Sequence, residues 1–219
     1  MSDERKLGEL RKLWIDGPAG RLEAALRTAC PARAAAVVAH PHPEHGGTLH
    51  NPVVFHADRE LHRVGFTTLR FNFRGVGSSE GAYDDGRGEV DDVGAAVSWL
   101  RGVAPGLPLF LVGFSFGSTC SIRYAVGDDT VSALIAIGLP VGRYPIPGIA
   151  QLGRPLAVVQ ADNDEFGSLE EVRSALAVAR PEGRLYTVEG TTHLFPQRAP
   201  DAALQVIRAA EAIFESGRL

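Results

Sequence analysis

The chain has 219 residues, 45% hydrophobic and 22% charged, and carries a formal net charge of −4. A chain of this length buries enough surface to fold without staples, its two cysteines make no disulfide framework, and its scattered Lys and Arg offer no stripe for a phosphate backbone, so no nucleic-acid partner is expected. The opening MSDERKLGELRKLW lacks the apolar centre of a secretory leader, and the longest apolar run, Ala133–Val141, is broken by Gly138 and Pro140 and falls far short of the ~20 residues of a membrane span, so no membrane partner is expected and the cytoplasm is the expected compartment.

In chain order, the first patterned segment is Lys12–Thr28, where Asp16-Gly-Pro-Ala-Gly20 separates two runs and predicts a hairpin at a sheet edge. Cys30 follows it and Cys120 lies in a later apolar stretch; both read as small buried thiols. Short apolar, β-branched runs predict buried strands over Ala36–Ala39, Thr67–Phe73, Leu109–Phe114, Ala133–Leu139, Leu156–Gln160 and Arg184–Val188. Amphipathic runs between them predict helices over Asn51–Arg63, Glu89–Arg101, Gly117–Val126, Leu169–Arg180 and Pro200–Phe214, the first opened by an Asn-Pro start signal. The alternation predicts an α/β fold: one domain over residues 1–219, with a doubly wound, mostly parallel sheet and an antiparallel N-terminal edge. In such sheets ligands sit beyond the C-terminal strand ends.

The strongest motif is Gly113-Phe-Ser115-Phe-Gly117, directly after one predicted strand and directly before a helix. A serine on so cramped a turn is held out of the fold, flanking glycines keep neighbouring side chains away, and the helix N-terminus favours negative charge beside it. That makes Ser115 a candidate nucleophile; the plainer reading is a tight turn with a capping serine. A serine needs a base, and of seven histidines only His193 follows it, in the loop after the last predicted strand. The base in turn needs a carboxylate, and the strand Leu156–Gln160 ends in Ala161-Asp162-Asn163-Asp164-Glu165. Three acids compete there, and at least two of them read as solvated turn residues.

His40-Pro-His-Pro with Gly46-Gly47, Phe71-Asn-Phe-Arg-Gly-Val-Gly-Ser-Ser, the serine turn, Asp162-Asn-Asp-Glu and Thr192-His193 together resemble the α/β-hydrolase superfamily, and more narrowly the small bacterial serine hydrolases without a lid domain. The resemblance runs from about Trp14 to the last helix. It implies a triad of Ser115, Asp164 and His193, with Asp162 as the rival acid because Ala161 stands where relatives usually carry Gly. It also implies an oxyanion hole built from two backbone N–H groups, one on Phe116 and one in the loop after the Ala36–Ala39 strand. Pro41 and Pro43 have no N–H, which leaves His42. The Arg74-Gly75 and Gly77 turn reads as supporting structure, and Asp84, Asp85, Asp91 and Asp92 as acids favoured at a helix start.

Other readings exist. His40, His42 and His45 lie at spacings that could hold zinc, but prolines interrupt them and no histidine occurs between His62 and His193. Gly75-Val-Gly-Ser-Ser-Glu-Gly81 is one residue off a dinucleotide fingerprint. A hydrolase fold used only for binding is a third. The leading reading is a cofactor- and metal-free serine hydrolase of carboxylic esters or thioesters. Its insert Pro140–Pro155 is too short for a lid, and Tyr144, Ile146 and Ile149 would form a low apolar wall. Phe114, Tyr144, Ile146 and Phe195 are the expected pocket residues for a small acyl or aryl group. Peptide cleavage is disfavoured, since no extended cleft is visible. Ester and thioester are not distinguished, nor are monomer and homodimer.

Overall fold

The computed structural model describes residues 10–144 and 146–217. Strands β1 (Arg11–Gly17), β2 (Gly20–Arg27), β3 (Ala34–Ala39), β4 (Phe66–Phe71), β5 (Leu109–Phe114), β6 (Ala133–Ile137), β7 (Leu156–Ala161) and β8 (Arg184–Val188) form one sheet. Their order across it is β1-β2-β4-β3-β5-β6-β7-β8. β1 and β2 make an antiparallel hairpin in which Gly17 pairs with Gly20 around Pro18-Ala19, and β2 runs antiparallel to β4. All further pairings are parallel. The mostly parallel sheet with an antiparallel N-terminal edge is therefore as the alternation of the sequence implied.

Helices α1 (Pro52–Arg63) and α5 (Ala199–Glu215) cover one face, and α2 (Gly88–Val103), α3 (Phe116–Val126) and α4 (Leu169–Ala177) the other. Strand side chains alternate between the two layers, as a period of two demands. On β5, Leu109 and Leu111 face α2 and α3, whereas Phe110, Val112 and Phe114 face α1 and α5. Asn51 starts α1 by accepting a hydrogen bond from Val53 N–H at 2.9 Å, with Pro52 in the first turn. Asp58 of α1 is fully buried, yet it pairs with Arg27 at 3.0 Å and Arg70 at 3.1 Å and accepts from the Thr68 hydroxyl at 2.5 Å. A buried carboxylate is tolerable only when so surrounded, and here it rivets α1 to β2 and β4.

Some expected boundaries move. β4 stops at Phe71 rather than Phe73, because Asn72 leaves the sheet to accept from Leu49 N–H and donate to Glu23. β6 stops at Ile137, where Gly138 turns the chain with φ 55°. α4 ends at Ala177, short of Arg180. Cys30 is exposed in the surface loop between β2 and β3, not buried; Cys120 alone has the buried environment expected of both. Among the described residues no helix is long and apolar enough to cross a membrane. Among its described residues, the segment between β6 and β7 holds only a short 3-10 turn, Ile149–Gln151, and no lid.

Candidate active site

Four parallel strands deliver the predicted chemistry to one rim, at their C-terminal ends: β3 leads into His40–His42, β5 into Ser115, β7 into Asp164 and β8 into His193. Ser115 sits at φ 52°, ψ −114°, a backbone conformation costly for any side-chain-bearing residue. Its surroundings enforce it. Ser115 N–H donates to Ile137 O at 2.8 Å, and the Ser118 hydroxyl donates to Ser115 O at 2.5 Å. A Cβ on Gly113 would stand 2.4 Å from Gly117 O, and one on Gly117 would stand 2.5 Å from His40 O, so both glycines are required by close backbone approach.

His193 is 1% exposed and bridges the other two groups. Its Nδ1 lies 2.9 Å from both carboxylate oxygens of Asp164, and its Nε2 lies 2.7 Å from Ser115 Oγ. A neutral imidazole that donates from Nδ1 to the carboxylate leaves Nε2 free to accept the serine proton. Phe166 meets the ring edge-on at 4.5 Å, closing its flank. The neighbouring acids are not idle turn residues, as the sequence suggested. Asp162 accepts from Gly190 N–H at 2.9 Å and Thr191 N–H at 3.2 Å, and Glu165 accepts from His193 N–H at 3.1 Å. Those backbone bonds hold the Asp162 carboxyl below its ordinary pKa. Asn163 N–H donates to Thr191 O. The acid loop and the histidine loop are thus laced together, and only Asp164 points at the imidazole. Gln160, fully buried at the end of β7, ties this loop to the one after β6 by accepting from Leu139 N–H and donating to Leu139 O and Gly167 O.

The three clustered histidines separate in role. His40 is fully buried, its Nδ1 donating to Pro41 O at 2.6 Å and its Nε2 accepting from Phe73 N–H at 3.0 Å. Burial pushes its pKa down to about 4, which keeps it neutral. His42 Nδ1 accepts from Glu44 N–H at 3.2 Å, and its Nε2 lies 3.1 Å from the Tyr83 hydroxyl. Burial, then the adjacent His45, lower its pKa as well. Ring nitrogens committed in this way do not converge on a cation, and among the described residues no group of three His, Cys, Asp or Glu side chains is placed to hold a metal. The backbone N–H groups of His42 and Phe116 have no partner among the described residues, and both residues line the cavity beside Ser115. The Gly75–Gly81 loop turns its N–H groups inward, on Glu80 O, Phe73 O, Arg21 O and the Glu23 carboxylate, instead of cradling a phosphate. Arg74 pairs with buried Asp92 at 2.8 Å, so that acid has an ionic partner beyond the helix dipole.

A cavity of about 340 Å³ opens over Ser115 and His193. Of the expected pocket residues, Tyr144 lines it. Phe114 and Phe195 do not: strand alternation sends Phe114 into the α1–α5 layer, where Phe195 packs against it, each 1% exposed. Ile146 packs onto the opposite core layer instead of the cavity, and Ile149 is buried there. The walls come from residues the sequence did not single out, chiefly Asn51, Arg143, Phe166 and Leu194. An aromatic two residues after the acid was the available signal for Phe166; Arg143, in a Pro- and Gly-rich insert, offered none.

Comparison with known proteins fits this geometry. The family model described as serine aminopeptidase, S33, matches residues 31–151. An uncharacterized protein of Rickettsia prowazekii (strain Madrid E) is 37% identical over 167 residues, 74% of this chain and 70% of that one. A serine hydrolase without a lid from Xanthomonas campestris superposes with a TM-score of 0.85 at 34% identity, covering 93% of this chain and 94% of the other. An α/β serine hydrolase homologue from Coxiella burnetii does so at 0.81 and 33%, covering 90% and 96%. The chain belongs to the serine aminopeptidase S33 family of hydrolases and, by its fold, to the lidless members of the α/β-hydrolase superfamily.

Proposed function

We propose that the protein is a serine esterase or thioesterase acting on small carboxylic esters through an acyl-enzyme on Ser115. The observation that carries this is the continuous chain from Ser115 Oγ through His193 to Asp164, at 2.7 and 2.9 Å. In this reading His193 Nε2 takes the serine proton as Oγ attacks the ester carbonyl, and Asp164 stabilises the imidazolium that forms. The oxygen that gains the charge lies against the free N–H groups of Phe116 and His42, with the dipole of α3 behind them. His193 then passes its proton to the departing alcohol or thiol. Water, activated by the same nitrogen, releases the acid.

The family description includes aminopeptidases, which must hold a free α-ammonium. No Asp or Glu lines this cavity among the described residues, and this favours esters. A cavity of about 340 Å³ suits a small substrate. The test is labelling by a fluorophosphonate together with hydrolysis of p-nitrophenyl esters from acetate to palmitate. Wild type is expected to label and to prefer short chains, and Ser115→Ala to do neither while folding normally. An unlabelled wild type, or turnover that survives Ser115→Ala, would refute the proposal.

A further inference from the structure

The lining of the cavity has a sign opposite to that of the molecule. The chain carries −4, yet among the described residues the one formally charged side chain lining the walls beside Ser115 is Arg143, with His42, His45 and His193 near it and no carboxylate. Acids near the cavity are engaged elsewhere or lie outside its lining: Asp164 faces the His193 ring, Glu165 accepts from His193 N–H, Glu171 of α4 caps Ser168, and Glu44 sits exposed on the His42–His45 turn without lining the cavity. Among the described residues the Arg143 guanidinium has no hydrogen bond or ion pair, whereas Arg21, Arg33, Arg74, Arg87, Arg154 and Arg198 each have a carboxylate partner; Arg11, Arg123 and Arg173 are also without one, but only Arg143 lines the cavity. A long cation placed at a concave, partly apolar site without a counter-ion is a recognition group for an anion.

We infer that the substrate is an ester bearing a second, unreacting carboxylate, and that Arg143 is the residue that selects it. The inference rests on the esterase reading and adds to it the chemical class of the ester. A guanidinium pairs with a carboxylate through two parallel N–H bonds and remains charged at every working pH, so the preference should not titrate near neutrality. Half-exposed ion pairs are screened by salt, so the preference should weaken as ionic strength rises.

The experiment compares kcat/KM for matched ester pairs. An acyl-side pair is p-nitrophenyl hemisuccinate against p-nitrophenyl 4-methylpentanoate; a leaving-group pair is 4-acetoxybenzoate against 4-isopropylphenyl acetate. Ser115→Ala serves as the blank for spontaneous hydrolysis. In wild type one anionic member is expected to exceed its neutral partner, and Arg143→Gln to shrink that ratio about 10-fold, the range of a charged hydrogen-bond pair in a pocket. Arg143→Lys should recover most of the ratio, and added salt should lower it in wild type. Ratios unchanged by Arg143→Gln and by salt, with both esters turned over, would overturn the inference and leave the esterase reading standing. No turnover of any ester and no fluorophosphonate labelling would overturn both.

Discussion

Lowering the pH from 7 to 4 should weaken this protein through one imidazole outside the Ser115–His193–Asp164 chain. His40 is fully buried, and the nitrogen that would take up a proton already accepts a hydrogen bond from Phe73 N–H at 3.0 Å. Its pKa in the folded chain is about 4, against 6.5 when free. Because the folded value is the lower one, the unfolded chain binds the proton first. The stabilisation is complete above about pH 6.5 and is lost as the pH falls towards 4. At about 1.4 kcal/mol for each pH unit, that gap amounts to about 3 kcal/mol. At a urea dependence of about 2 kcal/mol per molar, the midpoint moves by about 1.5 M. Carboxylates and other histidines also titrate over this range, so the assay is a difference: urea unfolding of wild type and His40→Gln, side by side, at intervals from pH 7 to 4. Wild type should be the more stable at pH 7 and should lose about 3 kcal/mol of that margin by pH 4. Parallel curves, or a His40 resonance that titrates near 6.5 in the native state, would refute the reasoning.

The lacing of the acid loop separates two carboxylates that the sequence could not. Asp164→Asn should lower kcat about 10⁴-fold with little change in folding, because it leaves the imidazole without its orienting charge. Asp162→Asn should keep most of the activity and instead speed amide exchange at Gly190 and Thr191; the reverse ranking would make Asp162 the acid. Gln160→Leu removes three hydrogen bonds and strands Leu139 N–H in the core, so it should cost about 3 kcal/mol in urea unfolding, and a loss under about 1 kcal/mol would contradict the clamp.

What the sequence disclosed follows its periodicities. The strands of the parallel core are continuous apolar runs because both faces are covered, and so β5 was located to the residue; β8, a half-exposed edge strand, was located by its β-branched and aromatic residues instead. Ser115 and His193, which the fold brings within 2.7 Å, could be picked out because the serine turn lies between a predicted strand and a helix and because His193 is the one histidine after it. The cavity walls were not visible. Phe114 sits beside the serine in sequence, yet strand alternation turns it to the other layer, and proximity along the chain was mistaken for proximity in space. Nor could sequence rank Asp162, Asp164 and Glu165, since all three serve the same loop and differ only in which atoms they reach. His40 looked like a metal ligand by spacing; only its burial and its bonds to Pro41 O and Phe73 N–H reveal a strut under the loop after β3.

The joint between the turns after β7 and β8 also decides how the site would fail. β8 is an edge strand, paired only with β7, and is the most exposed strand of the parallel set. Fraying there pulls the His193 loop against its bonds to Asp162, Asn163, Asp164 and Glu165, whose loop follows interior β7 and stays tied through Gln160 to the turn after β6. Serine and carboxylate both follow interior strands, so the histidine is the member of the three whose support lies at the edge. Heat, denaturant or a damaged edge would therefore take the imidazole from both of its neighbours at once, leaving the hydroxyl and the carboxylate in place on an otherwise folded sheet.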